Sequence, residues 1–218
     1  MGWVAGFYRS TIGRKVVMAV TGLVLVGFVT GHMTGNLLMY QGPEAMNRYA
    51  HFLQSLGGIL WVVRGVLLLS VVLHGHSAWS LTRQARAARP RGYTELVGQV
   101  STRSARTMRW GGVLLLVFIV YHILHFTTGT LHPDFTRGDA YSNVVTGLSV
   151  PAVALFYIVA MGALALHLHP GVWSLFQTLG ANHPHFTPTR RRVATALAVV
   201  VPVGFASIPV AVALRFLR

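Results

Sequence analysis

The sequence predicts an all-α integral membrane protein, a bundle of five transmembrane helices forming one domain over residues 1–218. Two observations carry that expectation. Charged residues make up only 10% of the chain and its mean hydropathy is +0.57, whereas a soluble domain carries about 25% charged residues. The apolar residues are also gathered into five runs. Each is long enough to cross a hydrocarbon core of about 30 Å, which takes about 20 helical residues. Only segments that satisfy their own backbone polar groups can span lipid, and helices do so within one segment.

The first run, Val16–Tyr40, follows Arg9, Arg14 and Lys15. It is too long for a signal peptide and has no small-residue cleavage site, so it reads as a retained helix. The second, Ile59–Leu81, carries Arg64 near its start. The stretch Gln84–Met108 after it is too polar to span. It reads as a basic connector, as a helix lying along the membrane surface, or as a docking surface for a partner. The third run is Gly111–Gly129, the fourth Ser149–His169 and the fifth Val193–Leu214. The fifth contains Pro202 and Pro209 and no histidine, which suggests a kinked scaffold helix at the periphery. Helix breakers separate the runs at Gln41-Gly42-Pro43, Arg89-Pro90-Arg91-Gly92, His132-Pro133-Asp134 and His183-Pro184. Trp3, Trp61, Trp79, Trp110 and Trp173 stand near run ends, as an interfacial belt requires.

The net charge of +14 would suggest nucleic acid on a soluble protein. Here the basic residues lie between apolar runs, so membrane topology explains them and no nucleic-acid partner is expected. Arg9, Arg14, Lys15, Arg83, Arg86, Arg89, Arg91, Arg103, Arg106, Arg109, Arg190, Arg191 and Arg192 fall on one side. Arg48, Arg137, Arg215 and Arg218 fall on the other, with Glu44, Asp134 and Asp139. The positive-inside rule then places the N-terminus in the cytoplasm and the C-terminus outside the cell membrane. The chain has no cysteine, which excludes a disulfide, a thiolate-bound iron–sulfur cluster and covalently attached haem in this chain.

Ionisable side chains inside a membrane span are costly and mark function by default. Four runs carry histidines: His32; His74 and His76; His122 and His125; His167 and His169. Bundle cores build cofactor sites from side chains on facing helices. Counting from the basic ends at 1.5 Å per residue, His32 lies about 25 Å and His122 about 20 Å along their helices, in the outer half. His74 lies about 13 Å from Arg83, and His167 comes late in an inward-running helix, so both belong to the inner half. Two pairs at two depths suit two stacked bis-histidine haems, His32 with His122 outside and His74 with His167 inside. His74 and His76 stand about 200° apart on a helix and cannot serve one iron; the same holds for His167 and His169. His122 and His125 are predicted to share a face. Gly27, Gly31 and Gly35 form a stripe that admits a macrocycle or a neighbouring helix. Arg64 needs a partner, a haem propionate or the interface.

Several motifs, taken in order, carry a family resemblance. Ser10-Thr11-Ile12-Gly13-Arg14-Lys15 precedes the first run, and Gly31-His32-Met33-Thr34-Gly35-Asn36-Leu37 closes it. His74 stands sixteen residues ahead of Pro90 in Ala88-Arg89-Pro90. Then come Tyr121-His122-Ile123-Leu124-His125-Phe126 and His167-Leu168-His169-Pro170-Gly171-Val172-Trp173-Ser174-Leu175-Phe176-Gln177. The chain resembles the cytochrome b subunit of succinate dehydrogenases and fumarate reductases, in the single-anchor, two-haem class. The resemblance implies haem ligands at His32, His74, His122 and His167, pairing the first run with the third and the second with the fourth. It also implies an FAD flavoprotein subunit, an iron–sulfur subunit and a quinone substrate, with menaquinone the expected type. Some members use an acid near the outer end of the second helix; this chain has none there, and Glu44 lies in the preceding connection.

Two clusters are candidates for the quinone. His76, Trp79, Trp173, Ser174 and Gln177 lie toward the inner face, and Arg48, His51 and His125 toward the outer. Two other readings compete. In a transporter the intramembrane histidines would bind metal or carry protons, but such histidines usually pair with acids. The chain would alternatively be the b-type anchor of a hydrogenase or formate dehydrogenase, against which the Trp173–Gln177 run and the five-span layout argue.

Overall fold

The computed structural model describes residues 2–88, 103–181 and 183–218. Among the described residues every regular element is helical. The α-helices are α1 (Trp3–Arg9), α2 (Thr11–Asn36), α3 (Pro43–Ser55), α4 (Gly58–Ala87), α5 (Arg103–His122), α6 (Ala140–Leu148), α7 (Pro151–Thr178) and α8 (Thr187–Ala213). Five helical segments are long and apolar enough to cross a membrane: Thr11–Gln41, Gly58–Ala87, Thr107–Thr127, Pro151–Thr178 and Pro184–Ala213. They match the five apolar runs but extend past them at the basic ends. Arg14, Lys15, Arg83, Arg86, Arg190, Arg191 and Arg192 therefore ride on helices rather than in loops. Of the stretch Gln84–Met108, the first residues continue α4 and the last begin α5; residues 89–102, with the Arg89-Pro90-Arg91-Gly92 breaker, lie outside the described residues.

Local chemistry sets several helix ends. Ser10 caps α2, its hydroxyl accepting from Gly13 N–H at 2.9 Å. A Cβ at Gly13 would sit 1.9 Å from the Phe7 carbonyl oxygen, so the tight α1–α2 corner needs glycine there. Pro43 and Pro151 open α3 and α7 at the first turn, where a missing N–H costs nothing. Pro170, Pro202 and Pro209 lie inside α7 and α8 without ending them, as membrane helices tolerate.

Three short α-helices, α1, α3 and α6, were not foreseen. α3 and α6 pack together at the end of the bundle away from Arg14, Lys15, Arg83 and Arg86. Asp139 caps α6 by accepting from Ser142 N–H at 3.0 Å and also accepts from Asn47 Nδ2 at 3.0 Å. The Asn47 side-chain oxygen, Oδ1, in turn accepts from Tyr141 N–H at 2.9 Å. These bonds hold Asp139 below the usual carboxylate range, the Ser142 backbone N–H contributing most.

The bundle is built from pairs. α4 packs along α2, α5 along α7, and α8 along α7 and α2. Lipid offers no hydrophobic drive between helices, so small residues that permit close approach carry the packing; Ala154 and Ala160 of α7 and Ala194, Ala198 and Ala211 of α8 are all buried. The fifth span is therefore not peripheral. Its small and branched side chains fit α7, and Val201 is 1% exposed. Large apolar side chains such as Leu68, Val113, Leu155 and Val203 face outward, as lipid contact requires.

Candidate functional site

The α2/α4 pair and the α5/α7 pair meet along a seam, and two histidine pairs face each other across it. His32 of α2 and His122 of α5 have ring centroids 5.8 Å apart at 78°. His74 of α4 and His167 of α7 have centroids 6.2 Å apart at 59°. The two pairs lie in separate layers. A Cβ on Gly22 of α2 would meet the His74 ring, and one on Gly112 of α5 would meet the His167 ring. His32 and His122 each stand ten residues farther along those same helices, about 15 Å at 1.5 Å per residue.

Metal–imidazole bonds are about 2 Å long, so two imidazoles gripping one ion from opposite sides hold their centroids roughly 6 Å apart. Both pairs have that separation. Among the described residues no three side chains of metal-ligating type converge. Each pair thus offers two nitrogens and no third ligand, a donor set that suits an ion bringing its own equatorial ligands. Haem is such a group, and the residues fit it.

The surroundings orient the rings. His74 Nδ1 lies 3.1 Å from the Met18 carbonyl oxygen, to which it donates, and 3.3 Å from Thr21 Oγ1. That leaves Nε2 as the nitrogen free to bind a metal. The His167 ring lies by the Met108 carbonyl, and its buried Nδ1 reaches no full hydrogen bond. His32 is stacked on Phe28 at 5.3 Å and flanked by Phe205 of α8 at 5.7 Å. The Asn36 side chain donates to the His32 carbonyl oxygen at 2.8 Å and lies 3.3 Å from Nδ1.

His122 and His125 both turn toward Tyr157, as their three-residue spacing predicts, but only His122 stands opposite His32. α5 turns into a π-helical turn at Ile123–Thr127, immediately after His122. The extra residue in that turn keeps His125 out of the seam. It is fully buried, stacked on His132 at 5.0 Å and 3.1 Å from Tyr157 Oη. His122 Nδ1 reaches the same hydroxyl at 3.3 Å.

The predicted quinone clusters divide. On the inner side His76 bonds Tyr8 Oη at 2.6 Å and lies beside Trp79. Trp173 is instead covered by the Arg190 guanidinium of α8 at 4.9 Å, while Ser174 and Gln177 are exposed. These form two groups, one on α4 with α1 and one on α7 with α8. On the outer side Arg48 pairs with Glu44 and lines an open groove of about 490 Å³ with Leu38, Gln41, Ala45, Tyr49 and Phe52. His51 is exposed on the same helix, α3; His125 is buried away from the groove. Arg64 lies over Trp61 at 4.9 Å on the exposed side of α4. In the glycine stripe, Gly27 and Gly31 face open space, whereas Gly35 serves a neighbouring helix: a Cβ there would sit 2.5 Å from Tyr49 Oη.

Tyr157, Phe28, Phe205 and His132 escaped the sequence reading. Aromatic residues in apolar runs look like lipid-facing bulk. The available signal was a phenol hydroxyl deep in a span, a polar group that must find a partner.

The chain is 24% identical over 186 residues to the "Succinate dehydrogenase cytochrome b558 subunit" of Bacillus subtilis (strain 168), covering 83% of this chain and 84% of that protein. No family model matches the chain. No solved structure matches it either.

Proposed function

We propose that this chain is the membrane-anchor cytochrome b subunit of a succinate:quinone oxidoreductase, holding two b haems, one between His32 and His122 and one between His74 and His167. The observation that carries the reading is the pair of imidazole couples facing across one seam, 5.8 and 6.2 Å apart, in two layers. Similarity to a protein named as a succinate dehydrogenase cytochrome subunit points the same way.

The chain's own residues have definite roles in this reading. His74 keeps its proton on Nδ1 by donating to the Met18 carbonyl, so Nε2 faces the iron. Phe28 and Phe205 wall the outer pair and keep water from it. Bound in the two layers, the haems would supply one-electron carriers that divide a membrane span into shorter steps. A flavoprotein and an iron–sulfur subunit complete the complex, the latter because a cysteine-free chain holds no thiolate-bound cluster. The N-terminus lies in the cytoplasm and the C-terminus outside, by the distribution of basic residues.

The substrate is a quinone, with menaquinone the expected type. The outer groove beside Arg48 has a volume within the usual range for small-ligand sites, about 300–1,000 Å³, and a cation that can donate to a carbonyl oxygen. The inner alternative is the Tyr8–His76–Trp79 group, whose phenol and imidazole can pass a proton. Arg48→Ala and His76→Ala, assayed for quinone turnover, separate them: the variant at the working site loses turnover at unchanged haem content.

The reading is tested by counting haems in the purified complex by redox-titrated visible spectra. His32→Ala and His122→Ala are expected to lose the same single haem, and His74→Ala and His167→Ala the other. A colourless protein, or one keeping both haems in all four variants, would overturn it.

A further inference from the structure

The hydrogen-bond partners of four side chains at the outer end of the seam fix where their protons sit. His132 comes first. Asp134 N–H donates to its Nδ1 at 3.0 Å, so that nitrogen carries no proton. Its Nε2 lies 2.8 Å from the Asn143 carbonyl oxygen, which only accepts, so Nε2 carries the proton. Both nitrogens are taken, and His132 offers its stacked neighbour His125 a ring face and no hydrogen bond. His125 therefore depends on Tyr157, whose Oη lies 3.1 Å from its Nδ1, while its Nε2 is buried with no partner.

His122 Nδ1 lies 3.3 Å from that same Oη. An imidazole that binds iron through one nitrogen keeps its proton on the other. With Nδ1 turned to Tyr157, iron takes Nε2, and Nδ1–H donates to the phenol oxygen. The hydroxyl then keeps its own proton for one remaining acceptor, His125 Nδ1. The chain of donation runs one way, from His122 to Tyr157 to His125. The π turn at Ile123–Thr127 makes this arrangement by carrying His125 to the phenol, and such turns recur at functional sites.

We propose that Tyr157 is a positioning residue for the outer haem ligand, and that the buried His125 acts on that ligand only through the Tyr157 hydroxyl. This rests on the assignment of His122 as a haem ligand. An acceptor on the far nitrogen fixes the ring and makes the imidazole a stronger base. A phenol that is itself donating is a better acceptor, because linked hydrogen bonds polarise one another. A more basic axial ligand favours ferric over ferrous iron, so the network lowers the midpoint potential of the outer site. At the inner pair His74 leans instead on the Met18 carbonyl and the Thr21 hydroxyl, and among the described residues no second imidazole stands behind them.

The test is a redox titration of the whole complex, following each haem separately, together with the paramagnetic resonance spectrum of the ferric form. The outer haem is the one missing from His32→Ala. In Tyr157→Phe its midpoint is expected to rise and its resonance positions to move, with the inner haem unchanged. His125→Leu is expected to raise the same midpoint by less, and to add nothing in the Tyr157→Phe background. An unmoved outer midpoint in Tyr157→Phe, or a further shift from His125→Leu in that background, overturns the proposal while two bound haems still stand. If Tyr157→Phe assembles poorly, His125→Leu alone decides: a raised outer midpoint supports the relay and an unmoved one overturns it. A wild-type complex without haem would overturn the underlying assignment instead.

Discussion

Gly147 leaves no room for a side chain. A Cβ there would stand 2.7 Å from His125 Cε1, 2.8 Å from His125 Nε2 and 2.9 Å from His132 Nε2. Neither ring can yield cheaply, since His132 is tied at both nitrogens and His125 is enclosed. Gly147→Ala should therefore cost about 1–3 kcal/mol, the usual range for overpacking, read as a lower thermal midpoint of the purified protein. Adding His125→Ala should recover part of the loss, because the neighbouring ring is what the new methyl strikes; additive losses in the double variant would place the cost elsewhere. The histidines themselves were legible in the sequence, as ionisable groups where lipid makes them expensive. His122 was also chosen over His125 as the partner of His32; the Tyr157 hydroxyl that joins the two was not foreseen. A one-residue change in helical pitch moves a side chain around the axis, and nothing in the order Tyr121–Phe126 announces a π turn.

Among the elements, one carboxylate joins α3 to the start of α6. Asp139 is held below its ordinary range, so its contribution is present above the usual carboxylate pKa and is lost as pH falls through the lower folded value. Hydrogen exchange at the Tyr141 and Ser142 amides should accelerate, relative to its intrinsic rate, on acidification below about pH 4. Asp139→Asn should remove that dependence, and Asp139→Ala should cost about 1 kcal/mol of cap stability. Neither α3 nor α6 was predicted, because at thirteen and nine residues each is too short to register as a span. The fifth span was misplaced for a related reason. Two prolines and no histidine suggested a bystander, yet both prolines are buried and Phe205 lies against His32. Periodicity does not reveal which neighbour a wholly apolar helix will choose.

For the whole molecule, the ends of the spans carry the topology. Arg14, Lys15, Arg83, Arg86, Arg191 and Arg192 all project from the same ends of the long helices, and the α3–α6 cap closes the other end. The absence of cysteine gives a clean background for labelling. A single cysteine in place of Ser142 should react with an impermeant maleimide added outside intact cells, and one in place of Arg86 only after the membrane is opened. The reverse pattern would invert the orientation.

Composition, run length and the placement of basic residues were enough to determine a five-span helical bundle, its orientation as an expectation, and the histidines worth pairing. These depend on one dimension only, since the length of an apolar run and an ionisable residue within it can be read before any packing is known. The tertiary structure decided that α2 pairs with α4 and α5 with α7, that both histidine couples straddle the seam between them, and that Tyr157 serves two rings at once. Those facts depend on how helices rotate about their axes and which small residues let them approach. In lipid that choice rests on packing and a few hydrogen bonds rather than on hydrophobic pattern, so it leaves little trace in the order of residues.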